Sequence, residues 1–100
     1  MKVEQFYNKN QFIIKDKNQE KIIFQSYKST IAKIENKKLT LYENFDYSKT
    51  TQKHLYLFIK DYFYCLDYET RTLLQDFEYS KNKRAFLQNL INQNKIEYIN

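Results

Sequence analysis

Residues 24–42 read FQSYKSTIAKIENKKLTLY, and the way this segment pairs with itself decides the fold. With Asn36-Lys37 as a two-residue turn, Ile34 faces Leu39 and Ala32 faces Leu41. Lys33 with Thr40, and Glu35 with Lys38, then fall together on the opposite face. A three-residue turn at Tyr27-Lys28-Ser29 sets Ser26 opposite Thr30, Phe24 opposite Ala32 and Ile22 opposite Ile34. A further three-residue turn at Lys17-Asn18-Gln19 sets Ile14 opposite Ile22 and Phe12 opposite Phe24. Side chains alternate between the two faces of a strand, so a slip of one residue would send an apolar set to water. The expected strands are Gln11 to Asp16, Glu20 to Ser26, Thr30 to Glu35 and Lys38 to Tyr42, with Val3 to Tyr7 as a further edge strand. Their inner face is expected to hold Phe12, Ile14, Ile22, Phe24, Ala32, Ile34, Leu39 and Leu41. The other face then carries Ile13, Ile23, Ile31 and Tyr42 among Lys15, Lys21, Lys33 and Lys38.

After Tyr42 the apolar period lengthens. Thr51, Leu55, Phe58, Ile59 and Tyr62 form one stripe of an amphipathic helix, and Ser48 is placed to cap it by accepting an amide hydrogen of the first turn. A shorter helix is expected after the cap residue Asp67, burying Leu73, Leu74 and Phe77. A third is expected after Ser80, burying Phe86, Leu87, Leu90 and Ile91 until Asn92-Gln93-Asn94 stops it. Lys95 to Ile99 alternates like a last strand. The expectation is one α+β domain over residues 1–100: an antiparallel meander of four to five strands with two to three helices packed on one face.

Neither Gly nor Pro occurs in the 100 residues. That excludes glycine-rich phosphate loops and dinucleotide-binding fingerprints, and it forces turns with positive φ onto residues such as Asn, Asp and Lys. The one cysteine, Cys65, cannot form an internal disulfide and suits a reducing cytosol. There is no apolar run of membrane-spanning length, and Met1-Lys2-Val3-Glu4 lacks the start of a signal peptide; the expected location is the cytoplasm of a bacterial host cell. The net charge is +5. It is concentrated in residues 1–60, the sheet half, where twelve Lys/Arg stand against six Asp/Glu.

Little points to catalysis. The single histidine, His54, and Asp61 lie about 10 Å apart along one helix at 1.5 Å per residue, beyond direct hydrogen bonding, and Ser48 is six residues before His54. His54 is expected at the surface or beside a cap. His54 and Cys65 are too few for a zinc site, and Asp76 and Glu78 read as solvated charge. No cofactor is implied, and the expectation is a protein that is not an enzyme.

Binding fits better. Isoleucines and a tyrosine ringed by lysines have the layout of a contact core with a charged rim, and the partner-binding candidates are Lys33, Lys38, Tyr42, Ile23 and Ile31. Tyr56, Phe63, Tyr64, Tyr68 and Tyr79 add aromatics beyond the core stripes. Alternatives are a homodimer seam on the same face and a nucleic-acid interface. Lysines attract phosphates without reading sequence, whereas the scarcity of Arg and of exposed aromatics on the strands argues against base readout.

The hairpin from Phe24 to Tyr42, the junction Asp46-Tyr47-Ser48-Lys49-Thr50-Thr51 and the helix to Ile59 resemble a small domain of unknown function carried by phages and mobile elements of low-GC bacteria. Glycines are usual at that domain's turns, where this chain has Lys28 and Lys37. The resemblance implies a viral or mobile-element origin and brings no catalytic residues. Small non-enzymatic proteins of that origin resemble inhibitors of host defence, anti-CRISPR proteins included. The expected role is therefore a phage accessory protein that blocks a host protein, with a CRISPR effector or its nucleic-acid complex as candidate partner.

Overall fold

A computed structural model describes residues 2–100, apart from the side chain of Gln19; Met1, part of the N-terminal reading, lies outside the described residues. The strands are β1 (Lys2–Phe6), β2 (Asn8–Asp16), β3 (Lys21–Ser26), β4 (Ser29–Glu35), β5 (Lys38–Tyr42) and β6 (Glu97–Ile99). The helices are α1 (Lys49–Asp61), α2 (Tyr68–Leu73) and α3 (Lys83–Asn92). The class is α+β, as expected. The sheet is larger than expected: six strands in sequence order, antiparallel except that β6 runs parallel to β5. In the chain β6 follows α3 and closes the β5 edge of the sheet.

The β4–β5 hairpin has the expected register, with Ala32 opposite Leu41, Lys33 opposite Thr40, Ile34 opposite Leu39 and Glu35 opposite Lys38. Asn36 and Lys37 both adopt positive φ, 54° and 66°. That is the backbone a two-residue turn needs to match strand twist, here built without glycine.

The β3–β4 pairing departs in part. Phe24 faces Ala32 and Ile22 faces Ile34, but Ser26 pairs with Ser29, not Thr30, and the register shifts beside Phe24. The turn has two residues, Tyr27-Lys28, and the surplus residue of β4 is taken up as a bulge at Ile31. Bulging brings neighbouring side chains toward one face. Ile31 accordingly is buried at 1% exposure next to Ala32, not presented on the lysine-bearing face.

The β2–β3 pairing is one residue away from expectation. Ile13, not Phe12, faces Phe24; Ile14 faces Ile23; and Asp16 faces Lys21. The loop is a 3-10 turn at Lys17–Gln19 closed by Glu20 at φ 49°, with the Asp16 carboxylate accepting the Asn18 amide at 3.2 Å. Glu20 thus belongs to the loop, which has four residues where three were expected. The extra residue inverts the faces of β2: Ile13 is 1% exposed in the core, while Phe12 and Ile14 are half-buried on the other face.

Ile13, Phe24, Ala32 and Leu41 therefore form one row of the inner face. Against it lie Leu55, Phe58 and Ile59 of α1 and Leu87 and Leu90 of α3, in a single core cluster that also takes in Phe45, Leu66, Leu74, Phe77 and Ile96. Each large side chain fully buried there stabilises the fold by about 1.5–3 kcal/mol. The caps follow the sequence closely. Ser48 accepts the Thr51 amide at 3.1 Å and Asp67 the Thr70 amide at 2.8 Å. The third helix starts after Ser80 as expected, and its cap is Asn82, accepting the Ala85 amide at 3.0 Å.

Candidate functional site

The sheet face opposite the helices carries three aligned rows. Val3, Ile14, Ile23, Lys33, Thr40 and Glu97 are consecutive cross-strand partners. Gln5, Phe12, Gln25 and Thr30 flank them on one side, and Asp16, Lys21, Glu35 and Lys38 on the other. Tyr42 pairs with Ile99 at the edge. Val3, Phe12, Ile14, Ile23, Tyr42 and Ile99 are exposed or half-buried, and none belongs to the core cluster or packs against it. Apolar side chains thus occupy the β1–β3 half of the middle row, with Phe12 beside them, while Lys33, Thr40 and Glu97 fill its other half and Tyr42 and Ile99 stand at the far edge.

Of the expected contact residues, Ile23, Lys33, Lys38 and Tyr42 share this face and Ile31 does not. The β2 slip brings in Phe12 and Ile14 for Ile13, and with Ile31 gone the set is still four but more aromatic than the sequence reading had it. Lys33 and Lys38 are both tied internally. Lys33 Nζ lies 3.0 Å from the Glu35 carboxylate, and its side chain is only 19% exposed. The shared hydrogen bond raises the Lys33 pKa and lowers that of Glu35. Lys38 Nζ lies 2.8 Å from Asp67 and 3.7 Å from Glu69. The Lys38 hydrogen bond, helped by that of Thr70, holds the Asp67 carboxyl far below the usual range. Lys38 therefore ties the β4–β5 turn to the start of α2, where the Asp67 amide also donates to the Lys37 carbonyl at 2.9 Å. These contacts make Lys38 a structural cation as much as a rim residue.

The residues weighed for chemistry sit apart. Of the two positions expected of His54, the surface or beside a cap, the first does not hold: it is buried, with Nδ1 2.8 Å from the carbonyl oxygen of Thr50 in the first turn after the Ser48 cap. Asp61 accepts a hydrogen bond from the Tyr7 hydroxyl at 2.6 Å. Ser48 is engaged with Thr51, whose Oγ1 lies 3.2 Å from Ser26 Oγ. Cys65 is half-buried. Among the described residues no group of three or more His, Cys, Asp or Glu is gathered as a metal-binding set, and no helix is long and apolar enough to cross a membrane.

One buried polar residue escaped the sequence reading. Gln11 is 1% exposed beside Ser26, and neither its amide oxygen nor its amide nitrogen has a hydrogen-bond partner. With β2 in the expected register it would have faced away from the core; only the slip buries it.

Fold and surface together define a small α+β domain with helices on one face of a sheet and an uncovered apolar patch on the other. Residues 1–76 match the model of a family of unknown function (DUF8033), and the chain belongs to that family. The matched region takes in β1 to β5, α1 and α2 and stops short of α3 and β6. Searches of curated proteins and of solved structures give no match.

Proposed function

We propose that this chain is a non-catalytic binding module that docks onto another protein through the open face of its sheet. The observation that carries this reading is the apolar patch of Phe12, Ile14 and Ile23, with Tyr42 two strands away on the same face, all outside the core cluster. Uncovered apolar patches rimmed by polar residues mark interaction sites in soluble proteins. Because Lys33 and Lys38 are internally paired, affinity in this reading comes from the patch, and the lysines supply orientation. The resemblance to phage-borne domains makes a host protein, a CRISPR effector among them, the candidate partner.

A photo-reactive phenylalanine at position 42 or 23, compared with one at position 79 on the helical side, tests the assignment in bacterial cells. A discrete adduct from positions 42 and 23, lost on adding Ile14→Glu in a folded variant, is the expected result. Equal capture from position 79, or an adduct indifferent to Ile14→Glu, removes the sheet face from consideration.

The charge of the sheet half, twelve Lys/Arg against six Asp/Glu, favours nucleic acid as the second reading. In that case retention on an oligonucleotide falls steeply with added salt as counterions are released. No retention at low salt eliminates it.

A further inference from the structure

A groove lies on the helical side of the molecule, lined by α1. It has a volume of about 770 Å³ and runs between α1 and the segment from Leu74 to Tyr79. Its apolar lining is Tyr56, Leu57, Phe63, Leu74 and Phe77. Tyr56 and Phe77 meet edge to face with centroids 5.5 Å apart. Lysines stand around it: Lys49, Lys53 and Lys60 along α1, and Lys83 across from them. Lys49 and Lys53 are exposed. Lys60 reaches over the mouth to the Glu78 carboxylate at 3.5 Å, and Lys83 Nζ sits 6.0 Å above the Phe77 ring.

From this arrangement we infer that the groove receives an acidic amphipathic helical segment of a partner protein. The volume suits a small molecule as well as a peptide, so the charges decide. From Lys49 to Lys60 the row of cations spans about 16 Å at 1.5 Å rise per residue. One anionic head group would engage an end of that row. A helix with carboxylates on successive turns would engage all of it while its apolar stripe enters the groove, the usual helix-in-groove mode. Glu78 already holds the place of one such carboxylate on Lys60. The inference is independent of the sheet-face reading, since the two surfaces share no residue.

The test uses a fluorescein-labelled peptide with leucines at helical i, i+3, i+4 and i+7 spacing flanked by glutamates, read by anisotropy against the full chain. Saturable binding is expected. Lys49→Glu with Lys53→Glu should weaken it about tenfold or more through like-charge repulsion, and Glu78→Gln, which frees Lys60, should tighten it. Ile23→Glu on the sheet face should leave it unchanged. Any of four results overturns the inference: no saturable binding of the striped peptide, equal binding of a scrambled peptide that lacks the stripe, affinity indifferent to the lysine reversals in a folded variant, or loss of affinity in Glu78→Gln. Oleate is the single-headed control; if it binds saturably where the peptide does not, the groove is a lipid site and the inference fails.

Discussion

The β4–β5 and β2–β3 hairpins are both antiparallel pairs with apolar residues on their strands, yet one pairs as its sequence suggests and the other is shifted by a residue. The difference lies in the loops. Asn36-Lys37 closes β4–β5 with two residues at positive φ, and a three-residue turn would set Ile34 against Lys38 or Thr40 instead of Leu39. In β2–β3 the strand residues Phe12, Ile13 and Ile14 are all apolar, so both registers bury something greasy. The loop then decides, and it does so through the left-handed backbone of Glu20, a residue with no marked preference for that conformation.

The strongest way to break this comparison is at the core face of β2. Ile13→Ala should cost about 2–5 kcal/mol, as for other buried large-to-small changes, whereas Ile14→Ala should cost well under half of that. Ile34→Ala in the other hairpin should behave like Ile13→Ala. Denaturant titration measures all three; equal losses at positions 13 and 14 would contradict the observed register.

Gln11 sharpens the same point. Its amide is buried without partners, a penalty of about 1–3 kcal/mol for a buried polar group. Gln11→Met should therefore raise the thermal midpoint. A drop would show that the amide is satisfied in solution.

The loops can be compared directly. A left-handed residue other than glycine costs about 1–2 kcal/mol, offset by the roughly 0.4–1 kcal/mol that glycine loses in unfolded-chain entropy. Lys37→Gly and Glu20→Gly should each stabilise by a few tenths to about 1 kcal/mol on that balance. Pro at position 20 cannot adopt positive φ and should destabilise the β2–β3 loop.

The smallest effect concerns the tie between the β4–β5 turn and α2. Asp67 has a depressed pKa in the folded chain because of Lys38 and Thr70. Its contribution is thus complete above the ordinary carboxylate pKa, near 4, and fades as pH falls from there toward the lower folded value. Asp67→Asn keeps a capping oxygen but not the charge. Its stability should therefore vary less with pH below about 4 than that of the unsubstituted chain. Parallel pH profiles for the two proteins would refute the assignment.

Much of the molecule was legible. Ser48 and Asp67 were readable as caps because a short side-chain oxygen before an apolar stripe has one local use. Phe24, Ala32, Ile34, Leu39 and Leu41 were readable as one face because two turns agreed on it. The sixth strand's parallel pairing was not, since a three-residue strand carries no mark of its neighbour. Nor was the burial of Ile31, because a bulge is a local answer to a turn being one residue shorter than expected. The candidate surface was legible in kind but not in membership. Ile23, Lys33, Lys38 and Tyr42 belong to it, while Ile31 leaves and Phe12 and Ile14 enter.

The chain's own pattern determined the class of fold, the helix starts and the β4–β5 register, because each depends on residues within a few positions of one another. Tertiary structure decided which face of β2 meets α1, where the surplus residue of β4 goes and how the lysines are spent on Glu35, Asp67 and Glu69. Those choices depend on loops whose energies differ little in isolation and on partners dozens of residues away, so only packing of the whole domain selects among them.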